Sequence, residues 1–505
     1  MIEKNLFFSL MVLCMIACLE RVNSKNILYM AWPSYSHVNP MISIANELSK
    51  YGHNNYFILN KKLTKTFQKE KNINMLPMDE IPEIEEIRSG VKKQEKKKVF
   101  MMKTALTLFP IVCERFLTNE KWIEMLRAVN ASLAVINGVF MTNCLTIIAY
   151  ELSIPFVLTG SEILPSLHRI PWNPSVFPSS FLSFPDKMTY SEKLISTLVA
   201  IVDYTIPPIA APTHSVKTYA KDKPDISFLD LLHQAQFYLI EKDVLLDYPL
   251  PQLPNVRYVG GLAAKQSLLL KGELVKFVNA STNGIVVVSF GSNVNDFPAV
   301  QLEKLQSALK QIKYDVVWRQ KKTSFSHKNI YISDWVPQND LLGHPKTKLF
   351  VTHCGNSGQF EALFHGVPML GIPLFADQFY NSRRMTEKGY GLSLDIENFT
   401  PEELIKKIDE LIDNKTYSEK IKRASEIFHS RPEYPAKKSA RHIDHILKYG
   451  GEYLKSPCQE SRLYEFLMID VLVPIFAAIL FLIYLIYLSV KKCLSFCCKK
   501  KTKTD

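Results

Sequence analysis

The chain has 505 residues, 47% of them apolar and 22% charged, with a formal net charge of +12. That length exceeds one ordinary core and fits two domains with additional segments, while the apolar share implies a folded protein and leaves room for a membrane segment. The positive charge is concentrated: Arg88 to Lys103 contributes +6 and Lys491 to Asp505 contributes +5, so the remainder is nearly neutral and a general surface for nucleic acid is excluded.

Residues 1–24 read as a secretory signal, with Lys4 before the apolar run Leu6 to Leu19 and small residues at Val22-Asn23-Ser24. Asn26 to Ala31 then reads as a buried strand, Trp32 to His37 as a loop, and Ile42, Ile44, Ala45 and Leu48 as the inward face of a helix. With the strand Tyr56 to Leu59 this makes a βαβ opening, which implies a parallel sheet. The segment Ser166 to Pro185, rich in Pro, Ser and Phe, reads as an irregular loop. Asp247 to Val256 holds three prolines in a short span and suits an interdomain connection. The βαβ pattern then restarts with Gly284 to Phe290, a helix around Gln301 to Ile312, Val316 to Trp318, Lys348 to Thr352 and Val367 to Ile372. The predicted fold class is α/β, with two doubly wound domains facing each other and ligands in the crevice at the strands' carboxyl ends.

Val471 to Val490 is a run of 20 uncharged residues, the length of a helix that crosses a bilayer. The lysines from Lys491 onward predict a cytosolic tail, hence a single-pass type I orientation with the body in the lumen. Lys501-Thr502-Lys503-Thr504-Asp505 resembles a K-x-K-x-x retrieval signal of the endoplasmic reticulum. Of nine cysteines, only Cys113, Cys144, Cys354 and Cys458 fall in the luminal body, at spacings that suggest neither a disulfide framework nor a zinc site. Four sequons, at Asn130, Asn279, Asn398 and Asn414, are candidates for glycosylation. The basic run Lys92 to Lys98 reads as a solvated loop, with contact to anionic headgroups as the other reading.

The densest chemical signal is the stretch Phe350 to Asn381. A strand ends at Thr352, a turn through Gly355 to Gly358 opens a helix, and such a helix N-terminus is an anion site. His353 is placed to donate to a phosphate oxygen, and Glu361 to accept from ribose hydroxyls. No Gly-Lys-Ser/Thr follows, so a P-loop is excluded. In this stretch, in Trp335-Val-Pro-Gln338, in Phe290-Gly-Ser292 and in the linker from Tyr248 through Val259-Gly260-Gly261, the chain resembles the UDP-glycosyltransferase family, whose architecture is GT-B.

The resemblance implies an acceptor-binding domain over 25–245, a linker over 246–262, a UDP-sugar-binding domain over 263–455, a transmembrane helix over 470–490 and a basic tail over 491–505. It implies that Trp335 stacks on uracil, Gln338 contacts the uridine and Glu361 binds ribose. Ser292, His353, Gly355, Asn356, Ser357 and Gly358 would hold the diphosphate, and Asp377 and Gln378 the hydroxyls of the transferred hexosyl or hexuronosyl group. His37, after the first strand, becomes the base that deprotonates a small lipophilic acceptor before inverting attack on the anomeric carbon. The UDP-sugar is then a co-substrate, with no cofactor and no metal expected; the chain contains no Asp-x-Asp triplet. The expected partners are donor, acceptor and membrane, with a homo-oligomer allowed.

One departure stands out. The family orients its base with an acid after a later strand, yet no Asp or Glu occurs from Ala128 to Tyr150, where Asn137 is the nearest polar candidate. The missing acid supports one alternative, a donor-binding protein that has lost turnover; a separate alternative is a lipid-specific biosynthetic enzyme. Phe100, Phe109, Phe177 and Phe181 do not separate them, because aromatic side chains are usually core.

Overall fold

The computed structural model describes residues 24–93, 104–138, 141–161, 165–179, 182–185, 187–205, 212–292, 297–321 and 325–501. The signal expected over residues 1–23, Gln94 to Lys98 of the basic run, Phe100, Phe181 and the final four residues of the retrieval-like tail lie outside them. Two compact units are present, one running to Lys455 and one from Ser456 onward.

The first unit contains two parallel sheets. The seven-stranded sheet has the order β3-β2-β1-β4-β5-β6-β7. Its strands are β1 (Asn26–Met30), β2 (Asn54–Asn60), β3 (Asn74–Met78), β4 (Leu133–Asn137), β5 (Phe156–Gly160), β6 (Phe237–Ile240) and β7 (Val256–Tyr258). The six-stranded sheet has the order β10-β9-β8-β11-β12-β13. It is built from β8 (Ile285–Ser289), β9 (Asp315–Arg319), β10 (Ile330–Ser333), β11 (Thr347–Thr352), β12 (Met369–Gly371) and β13 (Gly391–Ser393). Strands such as Ile-Val-Val-Val-Ser in β8 and Leu-Ala-Val-Ile-Asn in β4 are buried along their whole length. Continuous apolar runs are what a parallel sheet covered on both faces requires.

The helices that matter here are α1 (Tyr35–Ser49), α2 (Gln338–Leu342), α3 (Asn356–His365), α4 (Gln378–Glu387), α5 (Lys415–His429), α6 (Pro435–Tyr449) and α7 (Ile469–Lys501). The first helix begins at Tyr35, inside the stretch that the sequence pattern gives to a loop. Ser34 is extended and its carbonyl accepts the His37 N–H at 3.2 Å, so His37 sits in the first helical turn.

Two arrangements cut across the sequence-based division. The stretch 246–262 contains β7, which adds an edge strand to the first sheet. Helix α6, far along the chain, returns to pack Ala440, Ile443 and Ile446 against the α1 face of that same sheet. The return is fixed by a hydrogen bond between His53 Nε2 and Asp444 Oδ1 at 3.1 Å. His53 Nδ1 accepts the Lys25 N–H, so Nε2 carries the proton that points at the carboxylate.

Cys113 and Cys144 form a disulfide that the irregular cysteine spacing did not suggest; it ties the helix Phe109–Leu117 to the turn after β4. In the second unit, Ile469–Leu494 within α7 is apolar and long enough to span a bilayer, and none of it is buried inside the unit.

Gly260 shows why the linker needs a small residue. A Cβ there would lie 2.2 Å from Phe360 Cζ and 2.9 Å from the Lys242 carbonyl carbon. Phe360 belongs to α3 and is 2% exposed, so the close approach locks the second sheet's helix against the connection. Gly260→Ala is expected to destabilise the body by about 1–3 kcal/mol. Urea unfolding of the detergent-solubilised protein, followed by intrinsic fluorescence, should show the midpoint fall; an unchanged midpoint would mean that this contact yields freely.

Candidate active site

Parallel register sets the site. In the first sheet Met30 pairs with Ile136, so the segments leaving β1 and β4 emerge side by side. That places His37 Nδ1 2.9 Å from Asn137 Oδ1. Asn137 is 1% exposed, and its Nδ2 donates to the Thr159 carbonyl on neighbouring β5 at 3.1 Å. With the amide nitrogen so engaged, Oδ1 faces the imidazole as an acceptor. Nδ1 therefore carries the hydrogen, leaving Nε2 with a free lone pair. Burial holds the His37 pKa down to about 4, with the Asn137 contact pulling the other way. The N-terminal end of α1, with its positive end of the dipole, also disfavours an imidazolium.

In the second sheet Thr352 pairs with Ser289, so His353 leaves β11 beside the Gly291-Ser292 turn that leaves β8. The ring is wedged between two glycines: a Cβ on Gly291 would meet His353 Nε2 at 2.5 Å, and one on Gly355 at 2.6 Å. Burial and the nearby Arg319 charge lower the His353 pKa to about 4, keeping it neutral. Cys354 next to it adopts φ 63°, a left-handed turn that carries the chain into α3, whose cap is Gly355. The first residues of α3, Asn356, Ser357 and Gly358, thus present backbone N–H groups beside a neutral imidazole, a suitable environment for an anion.

A second group lies along α3. Gln338 Nε2 donates to Glu361 Oε2 at 2.7 Å. Burial raises the Glu361 carboxyl to about 7, against the pull of Gln338 and Lys265. Trp335 remains 52% exposed despite its size. Its ring meets Tyr35 of α1 edge-on, with centroids 5.2 Å apart, and the Arg319 guanidinium carbon lies 5.6 Å from its centre.

Asp377 and Gln378 lie at the start of α4, after Ala376 at φ 53°. Asn381 Nδ2 donates to Asp377 Oδ2 at 2.7 Å, and burial raises the Asp377 carboxyl above its usual range. Gln378 is 4% exposed, and its Oε1 accepts the backbone N–H groups of Leu374 and Phe375 at 2.8 and 3.1 Å. Only its amide N–H groups remain for a ligand.

The candidate residues from sequence thus fall into four adjoining sets: His37 with Asn137; Ser292, His353 and Gly355 to Gly358; Trp335, Gln338 and Glu361; and Asp377 with Gln378. A profile of the family described as UDP-glucoronosyl and UDP-glucosyl transferase matches residues 27–504. The chain belongs to this family.

UDP-glucuronosyltransferase 2A3 of Homo sapiens is 31% identical over 411 residues, covering 78% of this chain and 76% of that protein. UDP-glucuronosyltransferase 1A1 of Mus musculus is 31% identical over 397 residues, covering 77% and 73%. Among solved structures, a UDP-glucosyltransferase from Polygonum tinctorium capable of glucosylating indoxyl matches with a TM-score of 0.60 at 16% identity, over 84% of this chain and 99% of that one. Glycosyltransferase VinC in complex with dTDP matches at 0.57 and 15% identity, over 84% and 100%. The architecture is therefore GT-B, as the sequence implied, and the protein is a UDP-glycosyltransferase.

Residues that the sequence did not single out also lie among these sets. Arg319, the last residue of β9, is 8% exposed, donates to the Gly291 carbonyl and approaches both Trp335 and His353. An arginine ending an apolar strand was the available signal. Asn381 donates to the Cys354 carbonyl at 3.1 Å as well as to Asp377, joining the turn before α3 to α4. Phe109, weighed as an acceptor-side residue, is core, 6% exposed and edge-on to Trp32. Nitrogen NMR of histidine-labelled protein at neutral pH is expected to show His37 as the Nδ1–H tautomer. An Nε2–H signal would refute the orientation given to Asn137.

Proposed function

We propose that the protein performs metal-independent, inverting transfer of a hexosyl or hexuronosyl group from a UDP-sugar to a hydroxyl of a small lipophilic acceptor. The observation that carries this reading is the His37–Asn137 contact, which leaves a bare Nε2 on the first sheet's carboxyl edge. The acceptor hydroxyl gives its proton to His37 Nε2 as its oxygen bonds to the anomeric carbon; the bond from that carbon to the diphosphate oxygen breaks, and the electron pair leaves with UDP. Trp335 stacks on the uracil, Gln338 contacts the uridine, and Glu361 receives the ribose hydroxyls. Ser292, His353 and the α3 N-terminus through Gly355, Asn356, Ser357 and Gly358 take up the charge developing on the diphosphate, a stabilisation by preorganised donors. Asp377 and the amide N–H groups of Gln378 hold sugar hydroxyls.

A carboxylate in place of Asn137 would stabilise the imidazolium formed during proton transfer. An amide supplies orientation without that charge. With a base whose pKa is held to about 4, the reaction favours acceptors with relatively acidic hydroxyls, such as phenols, over aliphatic alcohols. Turnover of a phenolic acceptor separates this from a binding protein with a silent base.

We further propose an endoplasmic reticulum location with a luminal body and one C-terminal span, and two domains joined through 246–262, with β7 and α6 belonging to the first. The Cys113–Cys144 disulfide supports an oxidising compartment. All four sequon asparagines are exposed, in keeping with modification there.

His37→Ala is expected to lower kcat by about 10²–10⁴-fold while calorimetric UDP affinity is kept; retained turnover would remove His37 from the base role. Trp335→Ala should weaken UDP binding by about tenfold or more, the range for an aromatic platform under a base. The acid limb of kcat/KM is expected near pH 4, because the base works deprotonated and burial holds its pKa there. Asn137→Asp should move that limb upward by about 1–3 units, the effect of a carboxylate beside a cation. An α-linked product from an α-linked UDP-sugar would overturn inversion.

A further inference from the structure

The residues assigned to the donor above all lie in the second half, yet the largest of them leans on the first. Trp335 lies between β10 and α2, outside any helix or strand. Its backbone is pinned: Ser333 Oγ donates to the Trp335 carbonyl at 2.9 Å and accepts the Trp335 N–H at 3.4 Å. Val336, next in the chain, is 3% exposed and anchors the segment in the core. The indole has no such seat, because it stands half out in solvent. A large ring on an irregular surface segment keeps its rotamer freedom unless neighbours restrict it.

Two neighbours do so. The Arg319 guanidinium carbon is 5.6 Å from the ring centre, and Arg319 is itself held by its hydrogen bond to the Gly291 carbonyl. The other neighbour is Tyr35, the first residue of α1, whose ring centroid is 5.2 Å away with 77° between the planes. Among the described residues no other aromatic ring meets Trp335. Tyr35 is a stiff support, because its own ring stacks on Phe67 at 5.4 Å and 7°. Phe67 ends the helix Lys61–Phe67 and is buried in the core on the α1 face of the first sheet. Burial, with Glu361 adding to the rise, pushes the Tyr35 phenol up to about 12, so the ring is uncharged at neutral pH. Phe67, Tyr35 and Trp335 thus form a row of rings from the core of the first half to a surface segment of the second.

We infer that Tyr35 is a positioning residue for donor binding, holding the Trp335 ring in the orientation that receives the uracil. The inference rests on the uracil-stacking role proposed for Trp335. A platform set before the ligand arrives spares the cost of immobilising it at binding, and an edge-on aromatic pair adds its own attraction. Together these effects correspond to about three- to tenfold in affinity. Both contacts are made by the Tyr35 ring, so phenylalanine serves as well as tyrosine. His37 follows two residues later, so one helical turn carries both the base and the support of the donor platform.

The test is a double-substitution cycle read by calorimetric UDP affinity, using full-length protein in detergent. UDP carries no sugar, so the readout does not pass through His37 or the acceptor. Tyr35→Leu is expected to weaken UDP binding by about three- to tenfold, whereas Tyr35→Phe keeps it within about twofold of wild type. In a Trp335→Ala background the Tyr35→Leu change should cost less than about twofold, because the ring it supports is gone. Unchanged affinity in Tyr35→Leu overturns the assignment. So does a loss of the same size in the Trp335→Ala background, which would mean that Tyr35 acts on the donor by another route. A Tyr35→Phe as weak as Tyr35→Leu overturns it as well, since the hydroxyl would then be the active part. Should Tyr35→Leu lose its cooperative urea transition, Tyr35→Met takes its place with the same expectations. Wild-type affinity in Trp335→Ala removes the uracil stacking and this assignment together.

Discussion

A parallel strand can place chemistry at only one edge of its sheet, and that constraint organises this enzyme. Neighbouring strands point the same way, so the segments leaving β1 and β4 start side by side, as do those leaving β8 and β11. Pairing Met30 with Ile136 is what brings His37 to Asn137, residues 100 positions apart. Pairing Thr352 with Ser289 is what lays the His353 ring over Gly291. A register slip in either pair would turn every side chain of a strand to the wrong face and separate the groups it carries.

Burial then sets the electrostatics. His37 and His353 are both held neutral at physiological pH, the first by burial against the pull of Asn137 and the second by burial together with the Arg319 charge. Glu361 and Asp377 are pushed toward protonation by the same removal from water. The two histidines and two carboxyls thus lean to their neutral forms, while Arg319 keeps its charge beside His353. Hydrogen-bond donors and a helix end in such a recess suit an anionic ligand, because hydrogen bonds strengthen where the dielectric is low.

Much of this was legible in the sequence for a physical reason: the strand-turn-helix cradle at His353 is local. Strand, turn, glycine cap and helix from Phe350 to Asn381 follow one another along the chain, so spacing alone reveals them. Asn137 was legible as an absence, since no acid occurs around it. What stayed hidden depends on tertiary placement. Arg319 becomes part of the site only because β9 lies next to β8. The Cys113–Cys144 bridge depends on how one helix packs over a turn. The edge strand β7 is three residues long, inside a proline-rich stretch whose composition reads as connection. The placement of α6 is invisible in its own periodicity, which fixes an apolar face and not the surface that receives it.

That last helix has a consequence for how the molecule comes into being. Ala440, Ile443 and Ile446 cover part of the first sheet, and Asp444 meets His53 across 391 positions of sequence. As the chain emerges from the ribosome, the first half stays incomplete until the last stretch before the second unit has been made. Vectorial synthesis therefore cannot finish the halves in turn, and an apolar surface on the early half waits uncovered through most of translation, which is the state that chaperones guard.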